Sequence, residues 1–310
     1  MSRYLDPKSD IVFKKVFGAQ PHLLKSFLNA LLPLPEDRLI EELVYLPPEQ
    51  VPLLPALKYS IVDVKCVDKR GRTFIVEMQI QWTVAFMQRI LFNTSAAYVH
   101  QLNKGEAYAS LSPVYGLALL AHHFQTESAE WFHHYKISNV KDQTKTLDDI
   151  QIILVELPKF TPFTIEEKKL TVLWLRFLSE IDEKTRVVSP ELLAVPEIME
   201  AVALSEESAY TPAELATYWT YWDAVSSEKT LLEGRYLEGK NAGIEEGKAV
   251  GIEEGKAVGI EEGKAVGIAE GKAAGSKAAT LEIAKKMLAR GTALEIVLAD
   301  TGLTREELEK

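Results

Sequence analysis

The chain has little cysteine, no long apolar run and no excess of basic residues, and each deficit excludes a class of protein. With Cys66 as the single cysteine among 310 residues, it can build neither a disulfide framework nor a cysteine-based zinc site. No apolar stretch approaches the roughly 18 residues of a membrane span, and no basic-then-apolar signal is present. We therefore expect a soluble cytoplasmic protein without a membrane partner.

The net charge of −10 argues at first against nucleic-acid binding, but the charge is unevenly distributed. Residues 1–110 contain 13 Lys and Arg against 11 Asp and Glu, a balance of +2. Residues 111–310 contain 22 against 34, a balance of −12. Phosphate binding is therefore permitted in the first part, although no run of basic residues marks an extended DNA footprint.

Two segments rich in Val, Ile and aromatic residues, 59–67 and 73–81, predict the strands of a β-hairpin. Gly71 suits the left-handed position of a three-residue loop, Lys69 to Gly71. Counting back from this loop, the expected opposite pairs are Asp68 with Arg72, Asp63 with Glu77, and Ile61 with Gln79.

Side chains alternate between the two faces of a strand, so Asp63, Glu77 and Gln79 are expected on one face. Opposite positions have Cβ atoms about 4.5–5.5 Å apart, where two like charges are destabilising. The pair therefore favours a cation between the carboxylates, such as Mg²⁺ with water and a substrate phosphate completing its shell. The alternative is a solvated polar face, with Asp63 paired to Lys65 or Arg72.

The segment before the hairpin predicts a helix. Asp6 and Pro7 suit its N-cap and first position, and Gly18 suits its end. Asp10 then shares a face with three other residues: Phe13, Lys14 and Phe17. A carboxylate between two phenylalanines makes Asp10 a further site candidate. The alternative is that Asp10 supports the helix dipole or pairs with a lysine.

The remaining pattern predicts an α/β core followed by a helical annex. A strand at 39–46, a long helix at 83–104, and apolar strands at 114–121 and 150–157 make up the rest of the core. Helical periodicity then follows at 164–181, 190–204 and 211–239.

Residues 243–275 are an internal repeat in which Gly-Ile-Glu-Glu-Gly-Lys-Ala-Val occurs three times and a decayed copy follows. Glycine every four residues drifts about 40° per step around a helix, and this period does not produce a straight coiled-coil seam. We interpret the repeat as a helical tether, with helix self-association as the alternative. Residues 279–310 predict short helices split by glycine, which suit a packing or docking module or a DNA-reading helix-turn-helix.

These observations divide the chain into three parts. Residues 1–225 are expected to form the α/β domain with its annex, 226–278 the tether, and 279–310 a small C-terminal module.

Several segments together resemble the Rpn family of recombination-promoting nucleases, also described as PD-(D/E)XK nuclease family transposases. The spacing of Asp63, Glu77 and Gln79 matches the active-site strands of that family, and Ser9 to Gly18 matches its opening. The other segments that follow the family pattern are Arg89, Tyr98, 105–108, 111–114, 155–160 and the Glu-Gly-Lys tail. The resemblance covers nearly the whole chain.

The resemblance implies a restriction-endonuclease-like PD-(D/E)XK fold, a mixed sheet flanked by helices, and Mg²⁺-dependent cleavage of DNA with low sequence specificity. Mn²⁺ or Ca²⁺ are alternative ions. Asp63 and Glu77 would be the metal ligands, Asp10 would complete the shell, and Gln79 stands where the wider superfamily often has lysine. Lys65, on the face of Asp63, would supply the missing charge.

The resemblance also implies a link to DNA recombination, mobile elements or defence. The expected partners are DNA and, through the tail, a second copy of the chain. The competing hypothesis is a catalytically inactive scaffold that has kept the fold as a binding module.

Overall fold

The computed structural model describes residues 3–50, 60–80, 83, 85–124, 127–161 and 169–309, with only the backbone of Lys169. Within these ranges the chain divides into two units, Met1–Thr230 and Leu231–Lys310. The predicted domain limits at 225 and 278 stay predictions. The expected strand ends at residues 59 and 81 and the expected helix start at 164 lie outside the described residues.

The first unit contains a mixed six-stranded sheet, as the resemblance implied. Its strands, in their order across the sheet, are β1 (Leu43–Tyr45), β4 (Val64–Asp68), β5 (Thr73–Gln79), β6 (Val114–Leu120), β8 (Asp142–Glu156) and β7 (Phe132–Asn139). The central strands β5, β6 and β8 are parallel, and the outer pairings are antiparallel. Two short strands, β2 (Glu49–Gln50) and β3 (Ser60–Ile61), pair separately.

Helices cover both faces of this sheet. The first-unit helices are α1 (Asp10–Phe13), a π-helical turn (Lys14–Gly18), α2 (Pro21–Leu31), α3 (Phe86–Val99), α4 (Lys169–Glu180), α5 (Pro190–Leu193), α6 (Pro196–Leu204) and the start of α7 (Pro212–Ala289). The main core joins α1, α2, α4 and α6 to one face, centred on the fully buried Phe17, Phe27 and Trp174. Helix α3 packs on the other face.

Strand β6 has every residue buried, as its continuous apolar run predicted for a central parallel strand. Gly116 lets α3 approach this strand closely, because a Cβ there would lie 2.4 Å from Thr94 Oγ1. The hairpin loop is also as predicted. Gly71 has φ +77°, Asp68 N–H donates to Arg72 O at 3.1 Å, and the ladder runs Val67 to Thr73 and onward.

The structure corrects four sequence expectations. The first helix begins at Asp10 rather than Pro7, because Asp6 Oδ1 accepts the Lys8 N–H and forms a turn there. Strand β1 is three residues long, and α3 ends at Val99 rather than 104. Strand β8 begins at Asp142 rather than 150, and its exposed polar half pairs with β7.

The second unit holds the rest of α7, then α8 (Leu294–Thr301) and α9 (Arg305–Glu309). Helix α7 is continuous through the glycine repeat, and a Cβ at any of its repeat glycines would meet nothing within 4 Å. A small apolar cluster of Ala284, Val297, Leu303 and Leu308 joins its end to α8 and α9. Gly302 makes the turn between the last two helices with φ +67°.

Candidate active site

Asp63 lies at a bend that interrupts the predicted strand 59–67. Val62 packs with Ile75 on the α3 face, whereas Val64, only two residues later, packs in the main core on the opposite face. Two residues along a regular strand would share a face, so the chain turns at Asp63. The predicted pairing of Ile61 with Gln79 is therefore wrong, since Ile61 pairs with Glu49 in the separate two-stranded sheet.

The bend brings the Asp63 carboxylate to strand β5. The β4–β5 ladder keeps the predicted register up to Val64 and Val76, and Asp63 is the next residue. Its Oδ2 accepts the backbone N–H of Met78 at 2.7 Å. Burial raises the pKa of Asp63 to about 6, partly offset by the Met78 hydrogen bond, and Glu77 and Asp10 raise this pKa further.

Glu77 lies near the carboxyl end of β5 and is only 5% exposed. Helix α3 supplies both of its polar contacts: Asn93 Nδ2 donates to Oε1 at 2.8 Å, and Arg89 Nη2 lies 3.5 Å from Oε2. Burial raises the pKa of Glu77, and these two contacts lower it in part. Asp63, at the bend before β4, and Glu77, on β5, are therefore two acids whose pKa values are both raised, and a nearby cation would favour their charged forms.

Gln79 follows Glu77 on the same face, two residues nearer the strand end. Its Oε1 accepts a hydrogen bond from Arg89 Nη2, so one guanidinium nitrogen contacts both Glu77 and Gln79. The Arg89 guanidinium also lies over the Phe86 ring, with Cζ 5.0 Å from the centroid. Arg89 therefore places a positive charge where the neutral Gln79 cannot provide one.

Asp10 is near the site but is paired elsewhere. Its Oδ1 lies 2.8 Å from Lys14 Nζ, and both side chains are half-exposed rather than buried with Phe13 and Phe17. The alternative from the sequence, an acid that pairs with a lysine of its own turn, is thus observed. Asp10 and Lys14 still act on Asp63 electrostatically, one raising and the other lowering its pKa.

Lys65 lies opposite Ile75, on the face that α3 covers. Burial lowers its pKa. Within the described residues, Lys65 makes no ion pair with Asp63 or Glu77, so the structure does not join it to the carboxylates.

Two residues near the site were missed from the sequence. Asn93 lies four residues after Arg89, and this helical spacing could have indicated that both side chains reach the same partner. Tyr221, on α7, is close enough for Asp10 and Asp63 to raise its pKa, in addition to the larger effect of burial. No local signal indicates Tyr221, because packing alone brings it to residues so distant in sequence.

Within the described ranges, no group of three or more His, Cys, Asp or Glu side chains is arranged to hold a metal ion. The metal-binding roles predicted for Asp63 and Glu77 stay a prediction. The described part of the chain also has no helix with the length and apolarity that crossing a bilayer requires.

Comparison with known families assigns both parts of the chain. Residues 7–234 match the family model of the PD-(D/E)XK nuclease family transposases. Residues 277–310 match the C-terminal HTH domain of the Rpn/YhgA-like nuclease family, which favours the helix-turn-helix alternative for α8 and α9. Neither the curated proteins nor the solved structures include a significant match. The mixed sheet and these matches together show that the chain belongs to the PD-(D/E)XK nuclease family.

Proposed function

We propose that this protein is a metal-dependent endonuclease that hydrolyses DNA phosphodiester bonds with low sequence specificity. The observation that carries the proposal is the pair of acids Asp63 and Glu77, whose pKa values are both raised by burial. A bound cation would offset this unfavourable placement. Strongly shifted pKa values are also typical of catalytic sites.

The donor set fits a hard divalent ion, with Mg²⁺ as the expected ion and Mn²⁺ or Ca²⁺ as alternatives. Mg²⁺ is commonly held by one or two carboxylates, with water and substrate phosphate as its other ligands. Asp63 and Glu77 would hold the ion. When bound, the ion would lower the pKa of its water and polarise the phosphate.

The protein's own groups orient this pair of acids. The Met78 N–H fixes one oxygen of Asp63, and the Asn93 amide fixes one oxygen of Glu77. Gln79 contributes hydrogen bonds but no charge. Within the described residues, neither Asp10 nor Lys65 contacts Asp63 or Glu77. We therefore assign them a supporting electrostatic role rather than the role of a metal ligand.

DNA is the proposed substrate because both family matches describe DNA-handling domains. Low sequence specificity is part of the proposal because the resemblance to the Rpn nucleases implies it. We extend the proposal to a role in recombination or in defence against mobile elements.

The test is plasmid cleavage by the purified protein with Mg²⁺, Mn²⁺ or Ca²⁺. We expect nicking that EDTA abolishes and that Asp63→Ala or Glu77→Gln reduces by at least about 100-fold, the upper end of the loss seen on removing a residue that supports a metal ligand. Asp37→Ala, which removes an exposed acid, is the matched control. Cleavage that persists in Asp63→Ala, or none with any of the three ions, would disprove the proposal.

The second candidate is an inactive scaffold that acts as a binding module. It is favoured by Gln79 at a position where a lysine could stabilise the transition state. Calorimetric titration with Mn²⁺ separates the two candidates. Binding that Glu77→Ala abolishes supports the enzyme, whereas a wild-type protein that binds no Mn²⁺ supports the scaffold.

A further inference from the structure

A cleft of about 510 Å³ opens beside Glu77, between α3 and strand β3. Its lining includes Ser60, Ile61, Arg89, Phe92 and Asn93. Arg89 and Asn93 are also the two residues that contact Glu77. The cleft therefore continues directly from the candidate active site, and its volume lies within the range of small-molecule sites.

The walls of this cleft suit a flat aromatic group. Phe92 is 45% exposed and Ile61 is 58% exposed, so two large apolar side chains face the opening without being covered. Phe92 lies three residues after Arg89 on the same side of α3. An aromatic ring exposed beside a site for phosphate chemistry offers a stacking surface for a base.

Within the described residues, two that line the cleft each have a buried polar atom without a hydrogen-bond partner. Asn93 Nδ2 donates to Glu77, and this hydrogen bond fixes the orientation of the Asn93 amide. Asn93 Oδ1 is then the acceptor of that amide. In the described part of the chain, Asn93 Oδ1 and Ser60 Oγ are buried without a hydrogen-bond partner. A buried acceptor without a partner is costly, so a small side-chain movement that brings it to an N–H group on the edge of a bound base would be favourable.

Arg89 stands between the cleft and the carboxylates. Its side chain is 48% exposed, and its Nη2 is held by Glu77 and Gln79. A guanidinium has five N–H donors, so others remain available to a phosphate oxygen. A phosphate bound at Arg89 would adjoin both the Glu77 carboxylate and the cleft.

We propose that the cleft holds one unpaired nucleotide of the substrate, with its base against Phe92 and its phosphate on Arg89, and that the protein therefore acts preferentially on single-stranded DNA. This inference rests on the proposed nuclease function and specifies its substrate class. A base in duplex DNA must unpair and unstack before it can enter such a pocket. The free-energy cost of this step is far lower for a base in single-stranded DNA.

The test measures binding and cleavage separately on one DNA sequence in single-stranded and duplex form. Binding is followed by fluorescence anisotropy in EDTA, and cleavage with Mg²⁺, Mn²⁺ or Ca²⁺. We expect the full-length protein to bind the single strand at least about tenfold more tightly than the duplex, and Phe92→Ala to weaken single-strand binding about tenfold. Phe92→Trp should retain this binding, because it keeps an aromatic face.

Leu91→Ala is the matched control, since Leu91 is the neighbouring residue on α3, is 51% exposed and lines a different groove. Arg89→Gln should weaken binding of both DNA forms and reduce the salt dependence of binding. Equal affinity for the two DNA forms, or a Phe92→Ala effect no larger than that of Leu91→Ala, would overturn the inference.

The outcomes also separate this inference from the function on which it rests. Plasmid cleavage without any preference for the single strand rejects the cleft and leaves the nuclease intact. Single-strand binding that Phe92→Ala weakens, with no cleavage under any ion, supports the cleft and rejects the nuclease.

Discussion

At the scale of single residues, the site contains two acids, Asp63 and Glu77, whose charged forms are disfavoured by burial. Burial, with smaller contributions from Glu77 and Asp10, raises the pKa of Asp63 to about 6, although the Met78 N–H that holds its carboxylate acts in the opposite direction. An unfolded aspartate titrates near 3.9. Between about pH 4 and pH 6 the folded protein therefore binds more protons than the unfolded chain.

This difference predicts how Asp63 affects stability. The contribution of Asp63 to the free energy of unfolding falls as pH rises from about 4 to 6. Its full destabilising effect is present above about pH 6. Asp63→Asn removes the charge but keeps an oxygen for the Met78 N–H. Without metal at pH 8, we expect Asp63→Asn to raise the free energy of unfolding by up to about 3 kcal/mol, from a shift of about 2 pKa units.

Urea denaturation in EDTA at pH 8 and pH 4 measures this effect, with Asp37→Asn as an exposed control. The stabilisation should vanish at pH 4, where aspartate at position 63 is already neutral. A stabilisation of equal size at both pH values would contradict the electrostatic origin, as would a destabilised variant at pH 8.

At the scale of elements, the position of α3 on the sheet sets the geometry of the site. Helix α3 carries Arg89 and Asn93, and it approaches the sheet closely at Gly116 of β6. A Cβ at residue 116 would meet Thr94 Oγ1 at 2.4 Å, a distance that real side chains do not tolerate. Thr94 is itself buried and its hydroxyl donates to Ile90 O, so it cannot turn away freely.

We therefore expect Gly116→Ala to push α3 outward and to destabilise the protein by about 1–3 kcal/mol, the usual cost of overpacking. Cleavage should fall as well, because Arg89 and Asn93 move with the helix. Thermal unfolding and the plasmid assay measure the two effects.

The double variant Gly116→Ala with Thr94→Ala provides the control, because it removes the oxygen that the new methyl group would meet. The two substitutions should then cost less together than the sum of their separate effects. Strictly additive effects would show that another contact, rather than Thr94, sets the helix position.

At the scale of the whole molecule, the candidate active site and the glycine repeat belong to different units. Both carboxylates of the site belong to the unit Met1–Thr230, which also contains the complete six-stranded sheet. The second unit has its own small apolar cluster. Several Ile and Val side chains of its repeat are about half-exposed, which leaves them available for contact with another chain.

We expect deletion of residues 231–310 to leave metal-dependent cleavage in place while changing its rate or the oligomer size. Such a tail would act by raising the local concentration of DNA or of a second copy. Light scattering and plasmid cleavage, compared with the full-length chain, measure both quantities. If the truncated protein has the same number of chains per particle and the same cleavage rate as the full-length chain, a regulatory or assembly role is rejected. If it is well folded but inactive, the tail contributes to the active site.

Local sequence was sufficient for features that depend on neighbouring residues. The glycine at position 71 specified the loop, the loop specified the register of β4 and β5, and a run of apolar residues specified the central strand β6. These features follow from turn stereochemistry and from the two-residue period of a strand, which act over a few residues. The ladder ends at Val64 and Val76 and the chain bends at Asp63, so the strand pairing of Asp63 with Glu77 is not observed. The metal-binding roles of these two acids stay a prediction.

Only the tertiary structure decided the rest of the site. The bend at Asp63, the paired contacts of Arg89 and Asn93 with Glu77, and the approach of Tyr221 all depend on packing between separate elements. The polar half of β8 was missed because its pairing with β7, rather than burial, makes it a strand. Packing sums many weak contacts across distant segments, so a local pattern does not contain it.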